Sequence, residues 1–427
     1  MEINKVSTMS KNLLSLRIII VFAFVAGGGT TRLLPAGDWP QILGPHRNGV
    51  AADETIADVW SEDGPSVVWS KDVGSGFAGC AAASGTAILF HRLGGEEIAE
   101  AVDANTGTVL WTARHTTDFD SSFSSDKGPR CVPIIHEGNV YIFGAQGVLR
   151  CLDGVSGKAK WTRRTHEDFK VPEGYFGAGS TPIVEGDRII VNVGSRPGAG
   201  VVAFSTTDGS TVWFAVDDTA SYSSPVATTI DGVRHLLFVG RLKTVSLDPE
   251  TGDVRFEMPF GRRGATVNGA NPVVISNHLF LTSSYGIGSV FVKIGRSRAE
   301  PVWSDTNVMA SQYCTPVTSG NLLYGIDGRQ DAVSGSAVLK CVDPHTRQVR
   351  WSEPGFDYAT LIRVNERLLI LTCGGELILV GMNPDRYHEL ARAQVLRKTP
   401  RGYRLPALSN GRLFVRDDRT LKCLELR

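Results

Sequence analysis

One short phrase recurs along the chain: a small or apolar pair, Asp, two spacers, Thr or Ser, Gly, three residues, then Trp. It reads Ala101-Val102-Asp103-Ala104-Asn105-Thr106-Gly107 and closes on Trp111. It returns as Cys151-Leu152-Asp153 with Gly157 and Trp161, and as Ala203-Phe204-Ser205 with Gly209 and Trp213. It comes again as Ser246-Leu247-Asp248 with Gly252 and Phe256, and as Cys341-Val342-Asp343 with Arg347 and Trp351. A period of roughly 40–55 residues is that of propeller blades, none of which buries its own faces without a neighbour. Within the phrase, Asp accepts hydrogen bonds from the turn backbone and Gly supplies the left-handed position. The Trp residues recur at a fixed offset from that turn, which assigns them to packing between blades rather than to a ligand platform.

Each repeat divides into four strands, A to D. Strand A carries Pro at Pro133, Pro182, Pro225, Pro272, Pro316 and Pro406. Proline donates nothing to a ladder, so these segments are edge strands and belong on the wall of the central channel. Strand A–B pairs begin near Cys80, Cys131, Thr181, Ser224, Asn271, Cys314, Thr360 and Leu405, which predicts an all-β, eight-bladed propeller of four-stranded antiparallel blades. The last repeat stops one strand short. An orphan strand at Ser66-Val67-Val68-Trp69-Ser70 carries the Trp of a strand D and is expected to complete the final blade and close the ring. The chain is thus read as a leader or anchor at 1–34, a lead-in at 35–64 and the propeller at 65–427.

The chain has 427 residues and a formal net charge of zero. With no dense basic tract, this argues against a nucleic-acid partner. Lys5, Lys11 and Arg17 surround an apolar run at 18–26, followed by Gly27-Gly28-Gly29. That pattern predicts a secretory signal, and hence a periplasmic or cell-envelope location. Membrane contact is expected only if the segment stays uncleaved. The first Cys after the run is Cys80, so a lipid-anchored Cys beside the signal is not expected. Of the seven cysteines, five fall on repeat-equivalent strand positions, Cys151, Cys341 and Cys423 on strand C and Cys131 and Cys314 on strand A. They read as small buried fillers. Strands A and C lie about 9–10 Å apart, too far for an intrablade disulfide. No Cys/His spacing suits a structural metal.

The Asp-x-x-Thr-Gly-x-x-x-Trp phrase resembles the repeat of pyrroloquinoline-quinone-type propellers, a family that includes quinoprotein dehydrogenases and the outer-membrane assembly lipoprotein BamB. The opening Asp38-Trp39-Pro40-Gln41-Ile42-Leu43-Gly44-Pro45-His46-Arg47-Asn48-Gly49 is similar to the lead-in of exported proteins with the same repeat. The resemblance implies the fold and leaves the activity open. Quinoprotein dehydrogenases carry two adjacent cysteines beside the quinone, and no two cysteines are adjacent here. No calcium-binding carboxylate set with a catalytic Asp can be transferred by motif, so no cofactor is predicted, and the quinone stands as the alternative ligand. Nor is the protein a kinase, since it has neither the Gly-rich loop nor the HRD segment.

In a four-stranded meander the D–A and B–C connections emerge on one face. The D–A set at 115–130, 165–179, 261–269 and 304–313, and the B–C set at 91–97, 194–200, 283–289 and 327–335, are read as long loops. Long loops on a rigid scaffold are where function concentrates. The rim residues expected to bind a ligand or partner are Arg130, Tyr222, Asn268, Tyr285, Tyr313, Asp327 and Arg329. Arg130, Tyr222, Asn268 and Tyr313 stand just before strand A, at the funnel mouth. Glu96, Glu97, Asp118 and Asp120 are read as solvated, and no His is given a role. The expected function is non-catalytic binding of an envelope protein or peptide on the long-loop face. The alternative is a small-ligand- or quinone-binding oxidoreductase using the same funnel.

Overall fold

A computed structural model describes residues 37–427 except 53, 122, 172–175, 265 and 399–401. The expected leader at 1–34 and the first two residues of the lead-in lie outside the described residues, as does Tyr175, which belongs to one of the long loops.

Among the described residues eight sheets form: seven contain four consecutive antiparallel strands, and the eighth joins the last three strands to one from the N-terminal side. Blade 1 is Cys80–Ala83, Thr86–Leu93, Glu96–Asp103 and Val109–Thr116. Blade 8 is Ala407–Ser409, Arg412–Arg416 and Thr420–Glu425, completed by the N-terminal strand Val67–Asp72, which pairs antiparallel with Thr420–Glu425. First and last segments of the propeller thus share one sheet, and the ring has no open edge at its seam.

The repeated phrase builds a clasp between blades. Asp103 Oδ1 accepts from the amides of Asn105 and Thr106, both at 2.9 Å. Asp153, Asp248 and Asp343 do the same in their blades. These bonds hold the Asp103 and Asp153 carboxyls below the ordinary carboxylate range. The turn Gly then takes positive φ, +72° at Gly107 and +69° at Gly157. Onto each glycine lies the Trp of the preceding blade. A Cβ at Gly157 would stand 2.6 Å from Trp111, one at Gly209 2.8 Å from Trp161, and one at Gly252 2.6 Å from Trp213. Each indole then donates Nε1–H to a carbonyl of the same turn: Trp111 to Gly154, Trp161 to Thr206, Trp213 to Pro249 and Trp351 to Asn383, at 2.8–3.2 Å. Trp69 on the closing strand does this to Ala104, so the seam is clasped like every other joint. Asp, Gly and Trp are three parts of one contact.

The channel wall is tied together by a second repeated device. The residue before each strand A Pro is polar in blades 3 to 6, and its side chain accepts the equivalent amide of the preceding blade. Val132 donates to Thr181 Oγ1, Thr181 to Ser224 Oγ, Ser224 to Asn271 Oδ1 and Asn271 to Thr315 Oγ1, at 2.8–3.0 Å. The ladder itself starts only after the proline, at Ile134, Ile183, Val226, Val273 and Val317. Strand A is therefore shorter than the sequence suggests, because the proline and the residue before it turn to the neighbouring blade.

The lead-in does not lie outside the ring. Trp39 bridges to Ala82 of blade 1, Arg47 donates to the carbonyls of Thr181 and Pro182 of blade 3, and Val50–Ala51 pairs in parallel with Ala359–Val364 of blade 7. The segment crosses the channel from one wall to another. Ile42 and Leu43 pack there against Ala81, Val132 and Leu405.

All seven cysteines are buried and unpaired. Three expectations about the connections need correction. The B–C connection of blade 3 is not a long loop, since Arg188–Ser195 and Ala199–Ser205 leave only Arg196, Pro197 and Gly198 to turn. The B–C connection of blade 1 is not a loop, since Thr86–Leu93 and Glu96–Asp103 stay in register to Leu93↔Glu96, leaving only Gly94 and Gly95 to turn. Glu97 is not solvated. It is 1 % exposed, accepting the Ala145 amide at 2.9 Å and standing 3.1 Å from His115 Nε2, because the pleat aims it at the next blade.

Candidate functional site

The D–A and B–C connections do converge on one face, around a cup of about 290 Å³. Its inner ring follows from one sequence position, three residues before the strand A proline. That position is Arg130, Gly179, Tyr222, Gly269, Tyr313 and Tyr403 in six blades, and all six line the cup. The two glycines make room for their neighbours. A Cβ at Gly179 would stand 2.4 Å from the Tyr222 ring, and one at Gly269 would stand 2.2 Å from the Tyr313 ring. Each tyrosine therefore leans over the glycine of the preceding blade.

Of the seven rim residues expected from the sequence, four line the cup: Arg130, Tyr222, Tyr285 and Tyr313. Arg329 stands at its edge, stacked on the Tyr285 ring at 4.9 Å and paired with Asp331 at 3.3 Å. Asn268 and Asp327 do not reach it. Asn268 lies one residue too early for the ring position that Gly269 fills, and its amide donates into the wall, to Gly240 and Arg241 carbonyls. Asp327 is engaged by the Lys340 ammonium and the Ala310 amide. Both side chains are engaged by the wall.

Other parts of the cup have no counterpart among the expected residues. Tyr403 follows the three-before-proline rule, which finds it once blade 8 is aligned on Pro406. Phe123 and Phe176 come from D–A connections, and Phe176 packs edge-on to Tyr222 with centroids 5.8 Å apart. Phe77 has no proline to mark it, since blade 1 begins Cys80-Ala81-Ala82. The floor is Ile42 and Leu43 of the lead-in, a long-range placement with no local signal.

Hydrogen bonds fix the walls. Tyr285 accepts from Gln312 Nε2 at 2.6 Å, and Gln312 Oε1 accepts from the Gln330 amide at 2.8 Å. Tyr222 accepts from the Phe176 amide at 3.2 Å, and Tyr403 donates to the Tyr313 carbonyl at 3.0 Å. Buried Tyr358 accepts the Tyr313 and Cys314 amides at 2.5 and 2.7 Å. Burial pushes the Tyr222 phenol up to about 12 and raises those of Tyr285 and Tyr313, so all three stay protonated.

Arg130 is the cationic side chain in the wall. Its Nη atoms donate to the Gly128 and Asp126 carbonyls, and its guanidinium lies over the rings of Phe119 and Phe77 at 5.0 and 5.8 Å. Burial depresses its pKa. The Asp126 carboxylate is taken by Arg404 at 3.1 Å and by the amides of Gly76 and Gly128.

Among the described residues, no group of three or more His, Cys, Asp or Glu converges so as to hold a metal ion.

Comparison with known proteins agrees with the architecture. No curated protein matches the sequence. Among solved structures, BamB from Moraxella catarrhalis superposes with a TM-score of 0.59 at 15% identity, covering 85% of this chain and 98% of that one. A europium-containing methanol dehydrogenase gives 0.65 at 11% identity, with 89% of each chain covered. A quinohemoprotein alcohol dehydrogenase from Comamonas testosteroni gives 0.62 at 13% identity, covering 91% of this chain and 80% of that one. At these identities the likeness is one of fold. Residues 94–353, more than half the chain, match the family described as outer membrane protein assembly factor BamB, and the protein belongs to that family.

Proposed function

We propose that the protein is an exported, non-catalytic docking module of the cell envelope whose cup receives a segment of a protein or peptide partner. The observation that supports this most is the cup itself: a blind, aromatic-walled recess built from the loops of several blades. Aromatic anchors set in a concave site are the usual energetic centre of a protein interface. Family membership agrees with a role in protein assembly, and the basic-apolar start at 5–29 agrees with export.

Capture from envelope extract by the purified protein, compared with Tyr222→Ala/Tyr313→Ala, tests the reading. Partners bound by wild type are expected to be lost from the double variant, and partners retained by it would place docking elsewhere. The oxidoreductase alternative has its own test. Titration with pyrroloquinoline quinone and calcium is expected to give neither heat nor a shift in melting temperature. Quinone-dependent turnover of an alcohol or sugar would reject the non-catalytic role.

A further inference from the structure

Resting on that docking role, we infer that the cup captures the free carboxyl terminus of a partner chain ending in an aromatic or large apolar residue, with Arg130 meeting the carboxylate. Three observations lead there. First, the cup is blind. Ile42 and Leu43, 8 % and 4 % exposed, close its floor against the channel wall, so an entering polypeptide cannot pass through. At about 290 Å³ the space is at the small end for a ligand pocket (roughly 300–1,000 Å³), a volume that suits a chain end better than a chain that enters and returns. A segment that enters must end there.

Second, the charge is unmatched. Arg130 makes no ion pair among the described residues, and the nearby Asp126 carboxylate is held by Arg404. The other charged residue of the wall, Asp331, is paired with Arg329. Third, the described lining residues hold no unsatisfied buried acceptor: their two buried side-chain atoms without a partner, Arg130 Nε and Asn271 Nδ2, are both donors covered by the wall. Asn271 cannot turn its oxygen inward, because Oδ1 already accepts the Ser224 amide at 2.8 Å. Each Arg130 Nη also keeps a second proton beyond the one given to a carbonyl. The remaining Arg130 Nη protons and the aromatic walls suit a ligand that is apolar in body and carboxylate at one end.

The test uses fluorescein-labelled hexapeptides, Gly-Ser-Gly-Ser-Leu followed by Phe, Trp, Leu or Ser, each as free acid and as carboxamide. Anisotropy is measured with the purified full-length protein. The Phe, Trp and Leu acids are expected to bind at least about tenfold tighter than their amides, and the Ser peptides weakly in both forms. In Arg130→Gln the acid and amide should converge on the wild-type affinity for the amide. Because that variant could lose its fold, a wild-type competition accompanies it: 3-phenylpropionate is expected to displace the Phe peptide where 3-phenylpropanamide does not. Equal binding of acid and amide would overturn the chain-end inference while leaving docking intact. Binding of none of the peptides, with partner capture still dependent on Tyr222 and Tyr313, would also overturn it and again spare the docking role. Loss of that dependence as well would remove both.

Discussion

Gly269 and Gly179 show how a single missing side chain shapes the cup. Neither needs a left-handed backbone, so their role is one of space alone. In Gly269→Ala the new methyl would meet the Tyr313 ring and the Gln312 carbonyl, at 2.2 and 2.7 Å. Tyr313 must then swing out of a position fixed by its own backbone bonds to Tyr358. The variant should lose about 1–3 kcal/mol in urea unfolding, as overpacked sites do, and change its near-ultraviolet tyrosine circular dichroism. An unchanged spectrum would show that the ring does not depend on the glycine. A residue-scale pH effect is expected at His166, which packs against Gly147 and edge-on to Phe143 at 6.3 Å. Burial lowers its pKa from the ordinary 6.5 to about 4. Between those values the unfolded chain takes up a proton that the folded chain resists, so stability falls as pH falls from 6.5 to 4. At about 1.4 kcal/mol per pH unit the loss approaches about 3 kcal/mol at the acid end. His166→Phe should flatten this slope relative to wild type in melts over the same range. Parallel curves would mean that the ring is protonated in the folded state.

At the scale of the element, the unit of assembly is the Trp of one blade lying on the Gly of the next. Gly138 and Gly157 separate its parts, since both are left-handed turn glycines of blade 2, at φ +73° and +69°. A Cβ at Gly138 meets nothing within 4 Å, whereas one at Gly157 runs into Trp111. Gly138→Ala should therefore lose only the cost of a left-handed alanine, about 1–2 kcal/mol. Gly157→Ala adds the displaced indole and its bond to Gly154, bringing the total to about 3–5 kcal/mol. Urea unfolding of the two variants measures the difference, and equal losses would deny the clasp a role in stability. This contact is why the blades were legible in the sequence: each repeat spells out Asp, Gly and Trp because each joint needs all three. The cup was legible only where it obeyed the same periodicity. Arg130, Tyr222 and Tyr313 follow from their place before strand A, while Asn268, one residue off, turned into the wall. Phe123 and Phe176 sit in connections with no repeat to align them. Hydrogen bonding to distant turns consumed Asp327, and nothing local in the sequence announces that.

At the scale of the molecule, the N-terminal part of the propeller does two separable jobs. Val67–Asp72 closes the ring, and 37–51 plugs its axis. The plug was the least legible feature, because its contacts run to blades 1, 3 and 7, far away in sequence. Its centre is Arg47, 2 % exposed, with bonds of 2.7–2.9 Å to the carbonyls of Pro182 and Thr181 and to Gln41 Oε1. Deleting residues 1–52 removes the plug and leaves the closing strand. That protein should stay in the oligomeric state of the full chain and all-β by size-exclusion chromatography and far-ultraviolet circular dichroism. It should melt several degrees lower, since Trp39, Ile42, Leu43 and Ala51 lose their burial and the channel carbonyls lose Arg47. It should also bind carboxylate-ended peptides weakly, because the cup loses its floor. Deleting residues 1–73 takes the closing strand as well and leaves Thr420–Glu425 as an open edge beside the exposed turn at Gly107. An unpaired edge of this kind invites intermolecular pairing, so the longer deletion should aggregate or fail to unfold cooperatively. If the shorter deletion aggregated as readily as the longer, plug and closure would be one structural unit; if its peptide affinity stayed at the wild-type value, the lead-in would not form the floor of the working site.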